Sequence, residues 1–205
     1  MAFGLKHATV ADPPSTTIDK DDWNAPHNPD GTGTLTMRPS IVAGKIAQNS
    51  KPTAVSIGAH AGYSLPVYNS DNEELFFRDY VAGRWDGASN ITVSVICCLA
   101  AAEDVGDKFQ LQVSWENKAT GSGVISTSTN DVTVETTVAT DRAAQYSIYK
   151  VDFTVDWDLP NPDVVASDHI GFRLRRIAAS SLEISGEVIV LDCLVTYTVN
   201  KIYKD

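Results

Sequence analysis

The chain has few residue types that carry out chemistry, and their spacing matches no catalytic motif. Four histidines lie far apart in sequence and outside any HExxH-type arrangement: His7, His27, His60 and His169. The cysteines lack the two-residue separation of zinc sites, and the adjacent Cys97 and Cys98 would point to opposite faces of a strand. We interpret these two and Cys193 as buried thiols. The sequence therefore predicts no catalytic residue, no metal site and no cofactor.

The acidic residues could supply the carboxylate pair of a glycosidase. The candidates are Glu73, Glu74, Asp79, Asp152, Asp156 and Asp158. The last three alternate with a run of apolar residues from Val151 to Trp157, so a strand would place them on its solvated face. The loop 156–163 has enough oxygens to suggest calcium, but it lacks the glycine and the terminal glutamate of an EF-hand. A solvated acidic face is the favoured interpretation.

Two arginines and one tryptophan are candidates for an interaction surface. Arg173 and Arg175 alternate with Phe172 and Leu174, which places the arginines together on one strand face. Cross-strand pairing with carboxylates is the simpler interpretation, and a subunit interface is the alternative, because arginine is enriched at interfaces. Trp85 could join that interface or stack on a sugar, although a core position is favoured.

Apolar residues at every second position run through the last two-thirds of the chain. The clearest stripes run from Ile91 to Leu99, Phe109 to Trp115, Tyr149 to Trp157, Ile170 to Leu174 and Ile189 to Val199. Such half-buried strands indicate antiparallel sheets, and eight or nine of them fit a jelly roll better than the alternative, an immunoglobulin-type sandwich. We predict an all-β fold, with an antiparallel β-sandwich of jelly-roll type over residues 61–205.

Residues 1–60 are predicted to form an extended, proline-rich N-terminal arm. Six of the nine prolines lie before residue 53, and proline disfavours long helices and central strands. A short helix is expected near residues 18–24, where acidic residues precede Trp23.

Composition excludes several functional classes. No run approaches the roughly 18 apolar residues that a membrane helix needs. Residues 1–65 are neutral, so the whole net charge of -10 lies in residues 66–205, and an acidic domain repels phosphate backbones. We therefore expect no nucleic-acid and no membrane partner. The first residues lack the basic and apolar regions of a secretory signal, which predicts synthesis and retention in a cytoplasm.

Two groups of residues resemble those of a known class of proteins. The segment 18–27, IDKDDWNAPH, resembles a stretch near the N-terminus of many tailed-phage structural proteins. The RWDG segment 84–87, the Gly106-Asp107 turn and the segment DHIGFRLRR at 168–176 are similar to a jelly-roll domain of phage virion proteins. The resemblance implies a virion component, either a capsid decoration (cement) protein or a fibre module, that is usually a homotrimer.

From these observations we predict a non-enzymatic virion protein, in the first place a capsid decoration protein. Its arm, anchored by Trp23, Asn24 and His27, would contact the major capsid protein or another virion protein. Its jelly roll would pack against its own copies. The alternatives are a tail- or head-fibre receptor-binding module and a carbohydrate-binding β-sandwich, and the latter predicts exposed aromatic residues along a groove.

Overall fold

The computed structural model describes residues 33–43, 52–66, 73–121, 125, 129–159 and 163–199. These residues form one short 3-10 helix, Thr140–Arg142, and eleven strands. The strands are β1 (Gly33–Met37), β2 (Val42–Ala43), β3 (Thr53–Ile57), β4 (His60–Leu65), β5 (Glu74–Tyr80), β6 (Ile91–Leu99), β7 (Lys108–Lys118), β8 (Asn130–Thr137), β9 (Ile148–Val155), β10 (His169–Ile177) and β11 (Val188–Val199). The helix expected near residues 18–24, with Trp23, Asn24 and His27, lies outside the described residues.

The strands form two antiparallel sheets with the strand order of a jelly roll. One sheet, called sheet A, has the order β3-β4-β11-β6-β9, with β1 added beside β11. The other, sheet B, has the order β2-β5-β10-β7-β8. From β4 to β11 the chain crosses between the sheets after every strand except β7, which forms a hairpin with β8. This order confirms the predicted jelly-roll sandwich.

The first three strands extend the edges of both sheets. Strand β3 forms a hairpin with β4, β2 pairs with the edge strand β5, and β1 pairs with the second half of β11. All three fall inside the segment 1–60 that the sequence predicts to be an arm. In its described part, this segment pairs with strands of the same chain. The boundary at residue 60 stays a prediction.

The core lies between the sheets and is built from the predicted stripes. Strand β9 alternates strictly between exposed and buried positions, and β10 alternates between half-buried and buried ones. The largest enclosed side chains are aromatic and come from both sheets: Trp115, Tyr197, Phe109 and Phe153. Each such side chain stabilises the fold by about 1.5–3 kcal/mol relative to an exposed position.

Strand β11 departs from the predicted pattern. The sequence places Ile189 and Leu191 on the same face as Cys193, but the pairing of β11 with β6 shifts between Val190 and Asp192. This β-bulge adds one residue and reverses the alternation. As a result, Val190 faces the core before the bulge and Cys193 faces it afterwards, whereas Ile189 lies on the outer side.

The three cysteines are free and buried, as predicted. Cys97 and Cys193 belong to the core between the sheets, and Cys98 lies on the opposite face of β6. Burial raises the pKa of all three thiols. They therefore pack as small apolar groups.

A buried arginine fixes the loop between β10 and β11. Arg176 is 4% exposed, and its guanidinium donates to Glu183 at 3.1 Å and to the carbonyl oxygen of Gly186 at 2.7 Å. The carboxylate of Glu103 accepts the backbone N–H groups of Ser185 at 2.9 Å and Gly186 at 2.7 Å. Two charged groups thus hold this loop closed over one end of the sandwich.

Replacing Arg176 by methionine should lower the free energy of unfolding by about 3 kcal/mol, as measured by urea denaturation. The loss lies at the lower end of the range for breaking a buried pair, because the side chain of Glu183 is 26% exposed and stays partly hydrated. The control Arg142→Met removes a side chain that is 51% exposed and should cost less than about 1 kcal/mol. Equal losses in the two variants would contradict the role of Arg176.

A polar contact also crosses the core between the sheets. The hydroxyl of Tyr197 on β11 donates to Asp79 on β5 at 3.0 Å, and the backbone N–H of Tyr80 donates to the same carboxylate at 2.8 Å. Burial raises the pKa of Asp79 despite these two hydrogen bonds. The charged carboxylate is therefore held at a cost in the folded state.

This cost predicts a pH-dependent effect of Asp79→Asn. The pKa of Asp79 in the folded state lies above its ordinary value of 3.8. The unfavourable free energy of burying the charged carboxylate is therefore absent below pH 3.8, and it develops as the pH rises through the folded pKa. The free energy of unfolding of Asp79→Asn, relative to wild type, should therefore be higher at pH 7 than at pH 3 in urea titrations.

Asp86→Asn is the control, because the pH dependence of its effect on stability should have the opposite sign. Partial burial raises the pKa of Asp86, but hydrogen bonds from Ser89 and Ala88 outweigh it and the net shift is downward. The charged form therefore adds stability above pH 3.8 that is lost as the pH falls through the folded pKa. The free energy of unfolding of Asp86→Asn, relative to wild type, should therefore be lower at pH 7 than at pH 3. A pH dependence of the same sign in both variants would contradict the opposite pKa shifts of Asp79 and Asp86.

Candidate functional site

The predicted arginines lie on the outer face of sheet B. Arg173 on β10 lies 3.6 Å from the carboxylate of Glu74 on β5 and donates to the hydroxyl of Ser114 on β7 at 3.1 Å. Arg175 donates to the side-chain oxygen of Gln112, also on β7. The contact of Arg173 with Glu74 matches the expected cross-strand pairing with a carboxylate, whereas Arg175 contacts an amide oxygen instead. The subunit interface that the sequence suggested for both arginines stays a prediction.

Trp85 lies in the core, which is the position that the sequence favoured. It is 4% exposed, its indole N–H donates to the carbonyl oxygen of Ser89 at 3.0 Å, and its ring meets Trp157 edge-on at 5.8 Å. The side chain is enclosed within one chain. It therefore offers no ring face for a sugar or for a second subunit.

A groove of about 640 Å³ runs along the outer face of sheet B. Its floor includes Gly171 on the central strand β10, which lies in register between Arg78 on β5 and Glu116 on β7. A Cβ atom on Gly171 would meet no other atom within 4 Å. Because glycine has no side chain, an open space remains at the middle of this sheet face, between the long side chains of the neighbouring residues.

The two sides of the groove differ in polarity because different strands form them. On one side lie Val42 of β2 and Phe76 of β5, which are 60% and 37% exposed, together with the polar Ser40 and Arg78. On the other side β7 and the residue before β8 contribute Ser114, Glu116 and Thr129. The groove thus has a mixed wall with an exposed phenyl ring on the β5 side and a polar wall on the β7 side.

Further along the same face, an aromatic pair formed by the exposed Tyr80 and the half-buried His169 extends this surface. Tyr80 is 62% exposed and contacts the ring of His169 edge-on, with ring centroids 5.4 Å apart. Tyr80 on β5 and His169 on β10 face each other, two residues along each strand from the pair Arg78 and Gly171.

Several polar atoms on this face are buried without a hydrogen-bond partner. Among the described residues four such side-chain atoms occur, and three of them are Glu74 Oε2, Glu116 Oε2 and Arg173 Nε. Burial raises the pKa of Glu74, opposed mainly by the charge of Arg173, and it raises the pKa of Glu116, opposed mainly by His169. The outer face of sheet B therefore combines burial with unused hydrogen-bonding capacity on all three strands β5, β7 and β10.

Two other acidic candidates from the sequence lie away from this groove. Asp79 lies between the sheets, where it accepts a hydrogen bond from the hydroxyl of Tyr197 at 3.0 Å. Asp152 lies on the outer face of sheet A, where it accepts from Ser94 and Lys150. Within the part of the chain that is described, no three histidine, cysteine or acidic side chains come together as metal ligands, and no helix is long and apolar enough to cross a membrane.

A second depression, of about 390 Å³, lies on sheet A beside the bulge of β11. Its lining includes Gly62, Ala54, Ala61 and Ser56, together with Tyr63. Larger side chains complete the lining: Pro39, Ile41, Val55, Leu191 and Asp192.

Among the residues that line the groove, the sequence predicted an interaction role only for Arg173. Phe76 and Arg78 lie in a short irregular run, and Glu116 follows the stripe that ends at Trp115. One signal was present. Gly171 interrupts a strongly alternating strand, and glycine inside a strand often marks the close approach of a ligand or another backbone.

Comparisons with known proteins give similarity of fold only. No family model and no curated protein matches the chain. The family 11 carbohydrate-binding module of Clostridium thermocellum, solved with a β-1,3-1,4-linked tetrasaccharide, is 10% identical with a TM-score of 0.40, over 83% of this chain and 91% of that one. The xylan-binding module CBM15 is 9% identical with a TM-score of 0.41, over 83% and 100% of the two chains.

An adhesin domain of Lys-gingipain from Porphyromonas gingivalis is 14% identical with a TM-score of 0.37, over 82% of this chain and 94% of that one. At such values these likenesses concern the all-β sandwich and carry no argument about activity. Nothing in the comparisons supports the capsid role or the trimer that the sequence motifs predicted, and both stay predictions.

The open floor of the groove gives a test of its geometry. Gly171→Val should fold normally and gain about 0.5–1 kcal/mol in free energy of unfolding, because the new side chain enters open space and glycine weakens strands. In the matched variant Gly62→Val, the new Cβ would collide with the carbonyl oxygen of Val190, so a loss of about 1–3 kcal/mol is expected. Thermal and urea denaturation of the two variants measure this contrast, and a large loss in Gly171→Val would show that the floor is not open.

Proposed function

We propose that the chain binds a carbohydrate in the groove on the outer face of sheet B. The observation that carries this proposal is the exposed Phe76 opposite a polar wall formed by Ser114, Glu116 and Thr129, with Gly171 between them. A sugar ring has the same two-sided character, since its faces carry C–H groups and its rim carries hydroxyl groups. The groove therefore fits a sugar by shape and by polarity.

The size and the position of the groove support this role. Its volume of about 640 Å³ lies within the range of about 300–1,000 Å³ that is typical of ligand sites. Its side chains project from paired strands of a packed sheet, so they are held in place before a ligand arrives, which lowers the entropic cost of binding. This is a binding role, and it requires no covalent chemistry.

The exposed aromatic residues of this face also support the proposal. A carbohydrate-binding sandwich should expose aromatic residues along a groove. Phe76 lines the groove, and Tyr80 is exposed further along the same face. Trp85, the other aromatic candidate for stacking on a sugar, is enclosed in the core.

The full chain should bind at least one polysaccharide class on a glycan array, with affinity then measured by calorimetry. Phe76→Ala should weaken binding about tenfold, because a stacked sugar shields about 50 Å² of apolar surface at about 25 cal/mol per Å². Gly171→Val should abolish binding by filling the floor.

Ile148→Ala is the control for the loss of an exposed apolar side chain. Ile148 is 57% exposed on sheet A, the opposite side of the sandwich, and its removal should leave glycan affinity unchanged. Failure of the correctly folded wild-type chain to bind any glycan, or equal binding by wild type and Gly171→Val, would overturn the proposal.

A further inference from the structure

Unused hydrogen-bonding capacity is concentrated at the groove. Glu116 and Arg173 line it, and Glu74 contacts Arg173 at 3.6 Å. Each of the three has one buried side-chain atom without a partner. A buried polar atom left unpaired costs about 1–3 kcal/mol, and most buried polar groups in native proteins avoid this cost. Such a group of unpaired atoms at an open groove indicates that a ligand supplies the missing partners.

The types of these atoms define the chemistry of that ligand. Carboxylate oxygens of Glu74 and Glu116 need donors, whereas Arg173 Nε–H needs an acceptor. A hydroxyl group can donate and accept at the same time. Neighbouring hydroxyls on one sugar ring can therefore satisfy a carboxylate and a guanidinium together.

Anionic groups satisfy this pattern poorly. A carboxylate or sulfate on a sugar only accepts hydrogen bonds, so it could pair with Arg173 but would leave Glu116 unpaired and repel it. Among the residues that line the groove, Arg78 and Arg173 face one carboxylate, Glu116, and beside them Arg175 is paired in register with Glu74. Repulsion of an anionic ligand at the groove therefore comes from Glu116. The chain as a whole carries a net charge of -10, which disfavours the approach of a polyanion.

We infer that the groove selects an uncharged glycan, in which hydroxyls of one ring donate to Glu116 and accept from Arg173 while a ring face lies on Phe76. This inference rests on the proposed carbohydrate-binding function and adds the class of ligand. Glu74 is a positioning residue in this arrangement, because it holds the guanidinium of Arg173 from the β5 side.

The first test compares matched neutral and acidic glycans with the full chain by calorimetry. Suitable pairs are methyl-esterified and de-esterified oligogalacturonides, and β-1,4-glucan hexamers before and after oxidation at C6. Within each pair the backbone and the ring hydroxyls are the same, and the neutral group at C6, a methyl ester or a hydroxymethyl, is replaced by a carboxylate. The neutral member should bind at least tenfold more tightly in every pair that binds.

The second test removes the inferred partners one at a time. Glu116→Gln should weaken binding of the neutral glycan about tenfold and reduce the discrimination against the acidic one, because the repelling charge is gone. Arg173→Lys keeps the positive charge but lacks Nε, and it should also weaken neutral binding about tenfold. The controls Asp141→Asn and Arg142→Lys make the same changes on the exposed helix Thr140–Arg142 and should leave affinity unchanged.

The outcomes separate this inference from the proposed function. Acidic glycans that bind as tightly as their neutral counterparts would overturn the inference and leave carbohydrate binding intact. Unchanged neutral affinity in folded Glu116→Gln and Arg173→Lys would do the same. Absence of binding to every glycan would instead remove the proposed function itself.

Discussion

The packing of β10 between β5 and β7 is the constraint on which the rest of the structure depends. Its inner side chains, Ile170, Phe172 and Leu174, are almost fully enclosed by the two sheets. Because successive side chains of a strand point to opposite faces, burying this stripe forces Gly171 and Arg173 outward. The same residues that close the core therefore place the floor and the guanidinium of the groove.

The floor of the groove and part of its walls come from the central strands of sheet B. Residues that are distant in sequence, from β5, β7 and β10, become neighbours through antiparallel pairing in fixed register. A slip of one residue in any of these strands would move its apolar stripe out of the core. The free energy of core burial thus also secures the geometry of the groove floor.

Charged groups serve different purposes in the interior and on the outer face. Arg176 is enclosed and its hydrogen bonds go to Glu183 and to backbone oxygens of the loop after β10. Arg173, three residues earlier and on the other face, keeps an unpaired Nε beside an open groove. Satisfied charges hold the fold together here, whereas Arg173 keeps unused hydrogen-bonding capacity at the groove.

The sequence by itself determined the sandwich, the facing of most strands and the buried cysteines, because period-two alternation is a local pattern that a half-buried strand imposes directly. It also placed Arg173 and Arg175 on one face. It missed the bulge in β11, since an added residue changes the alternation without any residue type that signals it. It also missed the groove, because Phe76, Arg78, Glu116 and Gly171 are adjacent only through the pairing of three strands. Which outer side chains meet depends on strand order and register, and these are decided by long-range packing.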